Sequence, residues 1–307
     1  MKILIPVCGI CIALALIGGP GYYSPRSVQC GWNLGHIFLF ALLTYLLLNL
    51  WGRITKKPFL RQCFWIFFVT LCLGTAIELV QFGLSGRSPD FGDIIRNFAG
   101  ALFTLAFLAT SRSTLSKRSL RLLQGIAIFT LLLAFVPFTI ALTDEIIARG
   151  QFPILADFET PFEMDRWTGS ARIAADREIA RHGKASLVIP LTTAQYSGAG
   201  LKYFPGDWSE YNLLRFSVFN PSSVSIKIVC RVHDSLHFEK GGKYEDRFNR
   251  NFLIDRGWND IGIPLEDIAK APKNRPMEMG RIQGFGIFAV RLPTPQTINI
   301  DYLRLEG

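Results

Sequence analysis

The chain has 307 residues, 50% of them hydrophobic, and a formal charge of +9 at pH 7. That share is high for one water-soluble domain and low for a chain built only of membrane spans, so two dissimilar parts are expected. Residues 1–149 hold 13 Lys and Arg against 5 Asp and Glu, while 150–307 hold 20 against 19, so the basic excess belongs to the first part and a nucleic-acid partner is not expected.

Apolar runs at 3–19, 34–51, 64–82, 94–109 and 125–142 fill the first part. Most approach the ~20 residues that cross a bilayer core, with the fourth the tightest, so a bundle of about five transmembrane helices is expected over 1–149. The first run follows Lys2 and also fits a signal peptide, but no small-x-small cleavage site precedes Pro20, which favours a helix. Arg53, Lys56, Lys57 and Arg61 fill the second loop, and Arg112, Lys117, Arg118 and Arg121 the fourth. Basic loops stay cytoplasmic, which predicts a cytoplasmic N-terminus, an outward turn around Arg87 and an extracytoplasmic C-terminal part.

One stretch carries groups that lipid does not tolerate. Glu78 and Gln81 share a helix face, the chain breaks over 83–89, and Asp90, Asp93 and Asn97 stripe the next helix. A charged side chain at bilayer depth costs about 2.5 to 3.5 kcal/mol even on lenient scales, so these groups should face a protein interior or a wet cavity. With His36 and Arg87 they form the candidate catalytic set: His36, Glu78, Gln81, Arg87, Asp90, Asp93 and Asn97. His36, Glu78, Asp90 and Asp93 also offer nitrogen and oxygen ligands for a divalent ion, without a compact ligand motif. A purely structural network, with Arg87 and Arg96 neutralising the acids, is the competing reading.

The ordered set His36, Glu78-x-x-Gln81 and Arg87-Ser88-x-Asp90-x-x-Asp93-x-x-x-Asn97-x-x-Gly100 resembles the VanZ-like membrane proteins over roughly residues 1–140. The chain departs from that pattern at Trp32 and Asn33, where the family often has an Asp-Lys pair. The resemblance implies a polytopic bacterial envelope protein, some relatives of which are linked to glycopeptide antibiotic resistance.

Past residue 149 the period changes. Short β-rich runs at 185–190, 213–219, 224–232, 257–264, 284–290 and 297–305, separated by turn signals, predict an all-β sandwich over 150–307. Asp157-Phe158-Glu159, Gly183-Lys184-Ala185-Ser186-Leu187, Asp207-Trp208-Ser209-x-Tyr211, Gly257-Trp258-Asn259 and Asp301-Tyr302-Leu303-Arg304-Leu305 resemble jelly-roll carbohydrate-binding domains. That likeness implies a structural Ca²⁺ shared by Glu159 and Asp301. Trp208 and Trp258 sit in turn-flanking phrases and read as core. The polar stretch 231–250 mixes rings with hydrogen-bonding groups, which suits a hydroxylated ligand, and offers His233, Asp234, His237, Tyr244 and Arg247 as its contacts. A solvated hairpin is the alternative there. The six cysteines show neither zinc-site spacing nor a disulfide framework.

Two functions follow. One is a membrane-embedded enzyme or binder of a glycan or lipid-linked envelope component, with the sandwich capturing carbohydrate. The other is a non-catalytic adaptor in which the helices only anchor.

Overall fold

The computed structural model describes residues 6, 7, 9, 13, 19–21, 23–85 and 91–307, with backbone only at 81 and 83–85. Most of the first apolar run, and Arg87 and Asp90 of the polar stretch, lie outside the described residues. The chain forms two compact units, Met1–Leu142 and Thr143–Gly307.

The first unit is helical: α1 (Arg26–Asn33), α2 (Gly35–Leu50), α3 (Phe59–Ser85), α4 (Phe91–Phe107) and α5 (Lys117–Gln151). Among the described residues three stretches are long and apolar enough to cross a membrane, namely Arg26–Leu50, Phe59–Val80 and Lys117–Gln151. α4 has 17 residues and falls short of that length. Large apolar side chains stand exposed along α3 (Leu60, Phe64, Phe68, Leu79) and α5 (Leu122, Phe129, Leu132), a surface matched to lipid rather than water.

The tight joint of this unit is between α2 and α4. A Cβ on Gly100 would collide with the backbone carbonyl of Ile37, so only glycine lets the two helices approach this closely. Thr104 Oγ1 strengthens the crossing by donating to Ala41 O at 2.9 Å. Under the basic loop, buried Gln62 donates to Thr55 O (3.0 Å) and Lys57 O (2.8 Å) and accepts from Ser111 Oγ (2.6 Å).

The second unit is the predicted β-sandwich, with more strands than the sequence pattern marks: β1 (Ile154–Ala156), β2 (Trp167–Gly169), β3 (Ala174–Asp176), β4 (Ser186–Leu191), β5 (Ser197–Leu201), β6 (Leu213–Asn220), β7 (Ile226–Asp234), β8 (Phe248–Ile254), β9 (Gly257–Pro264), β10 (Ile282–Ala289) and β11 (Gln296–Glu306). One antiparallel sheet runs β3-β4-β11-β6-β9 with β1 on β11, the other β2-β5-β10-β7-β8. Alternation sets the core: Leu187, Ile189 and Leu191 of β4, and Leu214, Phe216 and Val218 of β6, pack against Ile226, Ile228, Cys230 and Val232 of β7 and Phe285 and Ile287 of β10. Trp208 is fully buried and donates Nε1–H to Pro205 O at 3.2 Å, while Trp258 packs on Phe219.

This unit begins before the sandwich pattern does. α5 continues past its apolar run to Gln151, and Asp144 in its closing turns is bound by Arg166. Arg166 donates Nε–H to Oδ2 at 2.9 Å and Nη2–H to Oδ1 at 2.7 Å, and both side chains are 1% exposed. Removing one partner of a buried pair strands the other charge, at about 3 to 5 kcal/mol. A fragment of residues 143–307 is therefore expected to fold as a β-rich domain, and one of residues 151–307, lacking Asp144, to be less stable by about that amount in urea denaturation. Equal midpoints would remove the pair from any role in stability.

Candidate functional site

Three helices bring polar side chains to one buried place in the helical unit. His36 begins α2, Glu78 lies on α3, and Asp93 and Asn97 lie one turn apart on α4; they are 6%, 8%, 6% and 1% exposed. The close approach at Gly100 holds α4 against α2, and Gly74, one turn before Glu78, leaves room for the Asn97 amide that a Cβ would displace. His36 Nδ1 lies 3.0 Å from Asn97 Oδ1, and His36 Nε2 lies 3.7 Å from Asp93 Oδ2. Arg96 donates Nη1–H to Asp93 Oδ1 from one turn further along α4.

With Asn97 Oδ1 accepting from Nδ1–H, the imidazole is the tautomer whose Nε2 lone pair faces the carboxylates. A base, or a ligand for a positively charged group, needs that orientation. The side chain of Gln81, together with Arg87 and Asp90, lies outside the described residues. Of the seven side chains marked by the sequence, His36, Glu78, Asp93 and Asn97 meet. Arg96, read from sequence only as a neutraliser, stands directly on Asp93.

In the sandwich the five residues marked in 231–250 divide into two kinds. Asp234 is fully buried, paired with Arg275, and accepts the Glu278 N–H at 2.8 Å. Arg275 also donates Nε–H to Asp246 Oδ1 at 2.8 Å, and His237, fully buried, has Nδ1 3.1 Å from Asp246 O. His233 lies over Gly284, with Nδ1 3.2 Å from Asp234 O. Asp234, His233 and His237 are thus interior parts that hold the β7–β8 connection, not surface contacts as the sequence reading has them. Tyr244 and Arg247 do reach the surface: Tyr244 is 67% exposed, and the Arg247 guanidinium lies 5.5 Å from its ring centre.

Around them the outer face of β5-β10-β7-β8 supplies residues the sequence did not single out. Cross-strand register aligns Gly200, Gly286, Arg231 and Asn249 in one row, and Gly198, Phe288, Val229 and Asn251 in the next. Arg231 stands over Phe288, whose ring meets Tyr196 edge-on at 5.8 Å. Asn249 Nδ2–H donates to Tyr244 O (3.3 Å) and Arg247 O (3.4 Å), while its Oδ1 and Arg247 Nε have no hydrogen-bond partner among the described residues. Burial, then the Arg231 charge, holds Arg247 below the ordinary guanidinium pKa. The result is a glycine floor flanked by exposed rings and two guanidinium groups. The missed signal is the spacing Gly284-x-Gly286-x-Phe288, which puts two glycines and a ring on the outward side of a buried strand.

The carboxylates expected to hold Ca²⁺ each accept backbone hydrogen bonds. Glu159 Oε1 accepts from Lys184 N (2.6 Å) and Ala185 N (2.9 Å), and Asp301 Oδ2 from Arg181 N (2.6 Å) and His182 N (2.9 Å). Tyr302 N donates to Asp301 Oδ1 at 2.6 Å. Gly183, at φ +64°, makes the turn that aims these amides. These N–H donors engage Glu159 Oε1 and both Asp301 oxygens.

The VanZ/LLP1 family model matches residues 12–112. That span contains His36, Glu78, Asp93 and Asn97. No curated protein matches the chain. Among solved structures, a family 11 carbohydrate-binding module from Clostridium thermocellum in complex with a β-1,3-1,4-mixed-linked tetrasaccharide is similar at 16% identity and a TM-score of 0.38, covering 50% of this chain and 94% of that one. The family 11 module of the cellulosomal cellulase Lic26A-Cel5E of the same organism gives 14% identity, a TM-score of 0.37, and 50% and 93% coverage. An exo-β-agarase gives 16% and 0.41, with 50% of this chain covering only 24% of the agarase.

Burial lowers His233 from its ordinary pKa of 6.5 to about 4, against the opposing pull of the Asp234 carbonyl. Between those values the unfolded chain takes up a proton that the folded sandwich refuses, so stability is complete above about pH 6.5 and falls as pH drops towards 4. Unfolding midpoints measured across this window should decline for the native protein and flatten in His233→Gln, by up to about 3 kcal/mol of pH-dependent stability.

Proposed function

We propose that the protein is an integral membrane protein of the cell envelope that holds a glycan on its sandwich and presents the His36–Glu78–Asp93–Asn97 cluster to the polar head of a glycan-linked or lipid-linked component. The observation that carries this reading is the convergence of those four side chains, nearly withdrawn from solvent, where α4 packs with α2 and α3, which belong to stretches long and apolar enough to cross a bilayer. Buried ionisable groups in such helices are expensive, and function is the usual reason for keeping them. The loop charges favour a cytoplasmic N-terminus and an outward sandwich. Joining the two parts in one chain would raise the local concentration of a captured glycan near the cluster.

The sandwich part of the reading rests on its outer face. Sugars are held by rings that cover their apolar sides and by side chains that bond their hydroxyls, and Tyr244, Phe288, Arg247, Arg231 and Asn249 supply both. A role in glycopeptide tolerance is the phenotype this function would serve.

Three outcomes test it. The full-length protein in nanodiscs should be retained on isolated cell-wall glycan, and Tyr244→Ala or Arg247→Ala should weaken retention about tenfold, the scale of a contact residue; unchanged retention discards this face. Glu78→Gln should keep both membrane abundance and glycan retention while losing the envelope phenotype, whereas an adaptor would keep all three. On intact cells, single cysteines introduced in the sandwich should react with an impermeant thiol reagent and those at 54–58 should not; the opposite pattern reverses the orientation.

A further inference from the structure

We propose that His36 Nε2 and the carboxylates of Glu78 and Asp93 bind one divalent transition-metal ion, with Asn97 orienting the imidazole. The ligand atoms of these three side chains all lie within 4.8 Å of one another, and each comes from a different helix. They form the one group of three or more such side chains found among the described residues.

The separation between His36 and Asp93 is informative. At 3.7 Å, Nε2 and Oδ2 are too far apart to share a hydrogen bond. Two ligands each about 2.1 Å from a common tetrahedral ion stand roughly 3.4 Å apart, so a small rotation of either side chain brings them into place. The surroundings prepare each donor. His36 Nδ1 is taken by Asn97 Oδ1, leaving Nε2 as the lone pair, which is the usual arrangement when a second partner fixes a metal-binding histidine. Arg96 occupies Asp93 Oδ1 and leaves Oδ2 facing the imidazole.

Charge points the same way. Two carboxylates and an imidazole, each less than a tenth exposed, sit where water screens little; Arg96 offsets one negative charge at Asp93, and a divalent ion would bring the set close to neutral. Imidazole among the ligands selects Zn²⁺, Fe²⁺ or Mn²⁺ over Mg²⁺ or Ca²⁺, which prefer oxygen alone. Three protein ligands leave a coordination position open, as in catalytic rather than structural sites. An anionic oxygen of the head group would fill that position, a step that rests on the proposed function; ion binding itself does not.

The test uses the full-length protein in detergent, stripped with chelator and dialysed against Zn²⁺, with ion content read by mass spectrometry. About one Zn²⁺ per chain is expected, falling at least tenfold in His36→Ala and in the Glu78→Gln/Asp93→Asn double variant, and unchanged in His182→Ala. Because the variants could misfold, the unmodified protein is also loaded with Co²⁺, whose visible absorption should show the intense bands of low-symmetry nitrogen and oxygen ligation. Failure to retain Zn²⁺ at tenfold excess, a Co²⁺ spectrum identical to the aqueous ion, or full Zn²⁺ content in both variants would each overturn the site. Absence of the ion from the unmodified protein, with glycan retention intact, would overturn the site while leaving the sandwich reading standing.

Discussion

A polar group taken out of water must find a partner, and this constraint organises both halves of the chain. In the helical unit it is met by His36 with Asn97, which ties α2 to α4 where apolar side chains alone would allow many registers, and by Asp93 with Arg96 within α4. In the sandwich it is met by Asp144 with Arg166 and by Asp234 and Asp246 around Arg275. Each pair is dry enough that its geometry matters more than its charge, because a buried ion with one partner missing costs more than the pair returns. Apolar burial makes the two units compact, and these pairs select one arrangement within each.

The helical cluster and the sandwich face differ in kind. The cluster is a small, closed set whose donors are oriented before any ligand arrives: Asn97 sets the imidazole, and Arg96 sets one carboxylate. Such preorganisation suits chemistry or tight coordination of a single centre. The sandwich face is broad and shallow, with glycines where neighbouring strands would otherwise present side chains, and rings and guanidiniums at its margins. It suits an extended ligand held by many weak contacts. Behind it, Asp234, His237 and Arg275 support the β7–β8 connection that carries Tyr244 and Arg247, so residues that read as ligand contacts in sequence are interior supports of that connection.

Much of this was legible in the one-dimensional pattern because the signals are local. The length of the apolar runs, the switch from helical to alternating periodicity after residue 149, and the presence of acids inside apolar helices all follow from a few neighbouring residues. His36, Glu78, Asp93 and Asn97 stand out for the same reason: each is a polar residue in a setting that does not tolerate one cheaply. The extra strands were hidden for different reasons: β1, β2 and β3 have three residues each, β5 is rich in Gly, Ala and Ser, and β8 breaks its apolar pattern with Asn and Arg, so their pairing depends on partners elsewhere in the chain.

What the sequence determined, then, is which segments are helical or extended and which side chains demand partners. Only the tertiary structure decided who those partners are. Arg166 and Asp144 lie 22 positions apart, on either side of the change of periodicity at residue 149 but within one compact unit, and nothing local joins them. His36 and Asn97, 61 positions apart, meet because Gly100 permits a helix approach that any Cβ would block. Alternation puts Arg231, Phe288 and Asn249 on outward positions of their own strands, but only cross-strand register sets them side by side on one face. In each case the deciding quantity is a distance between residues remote in sequence, which is set by packing and by the satisfaction of buried polar groups rather than by local preference.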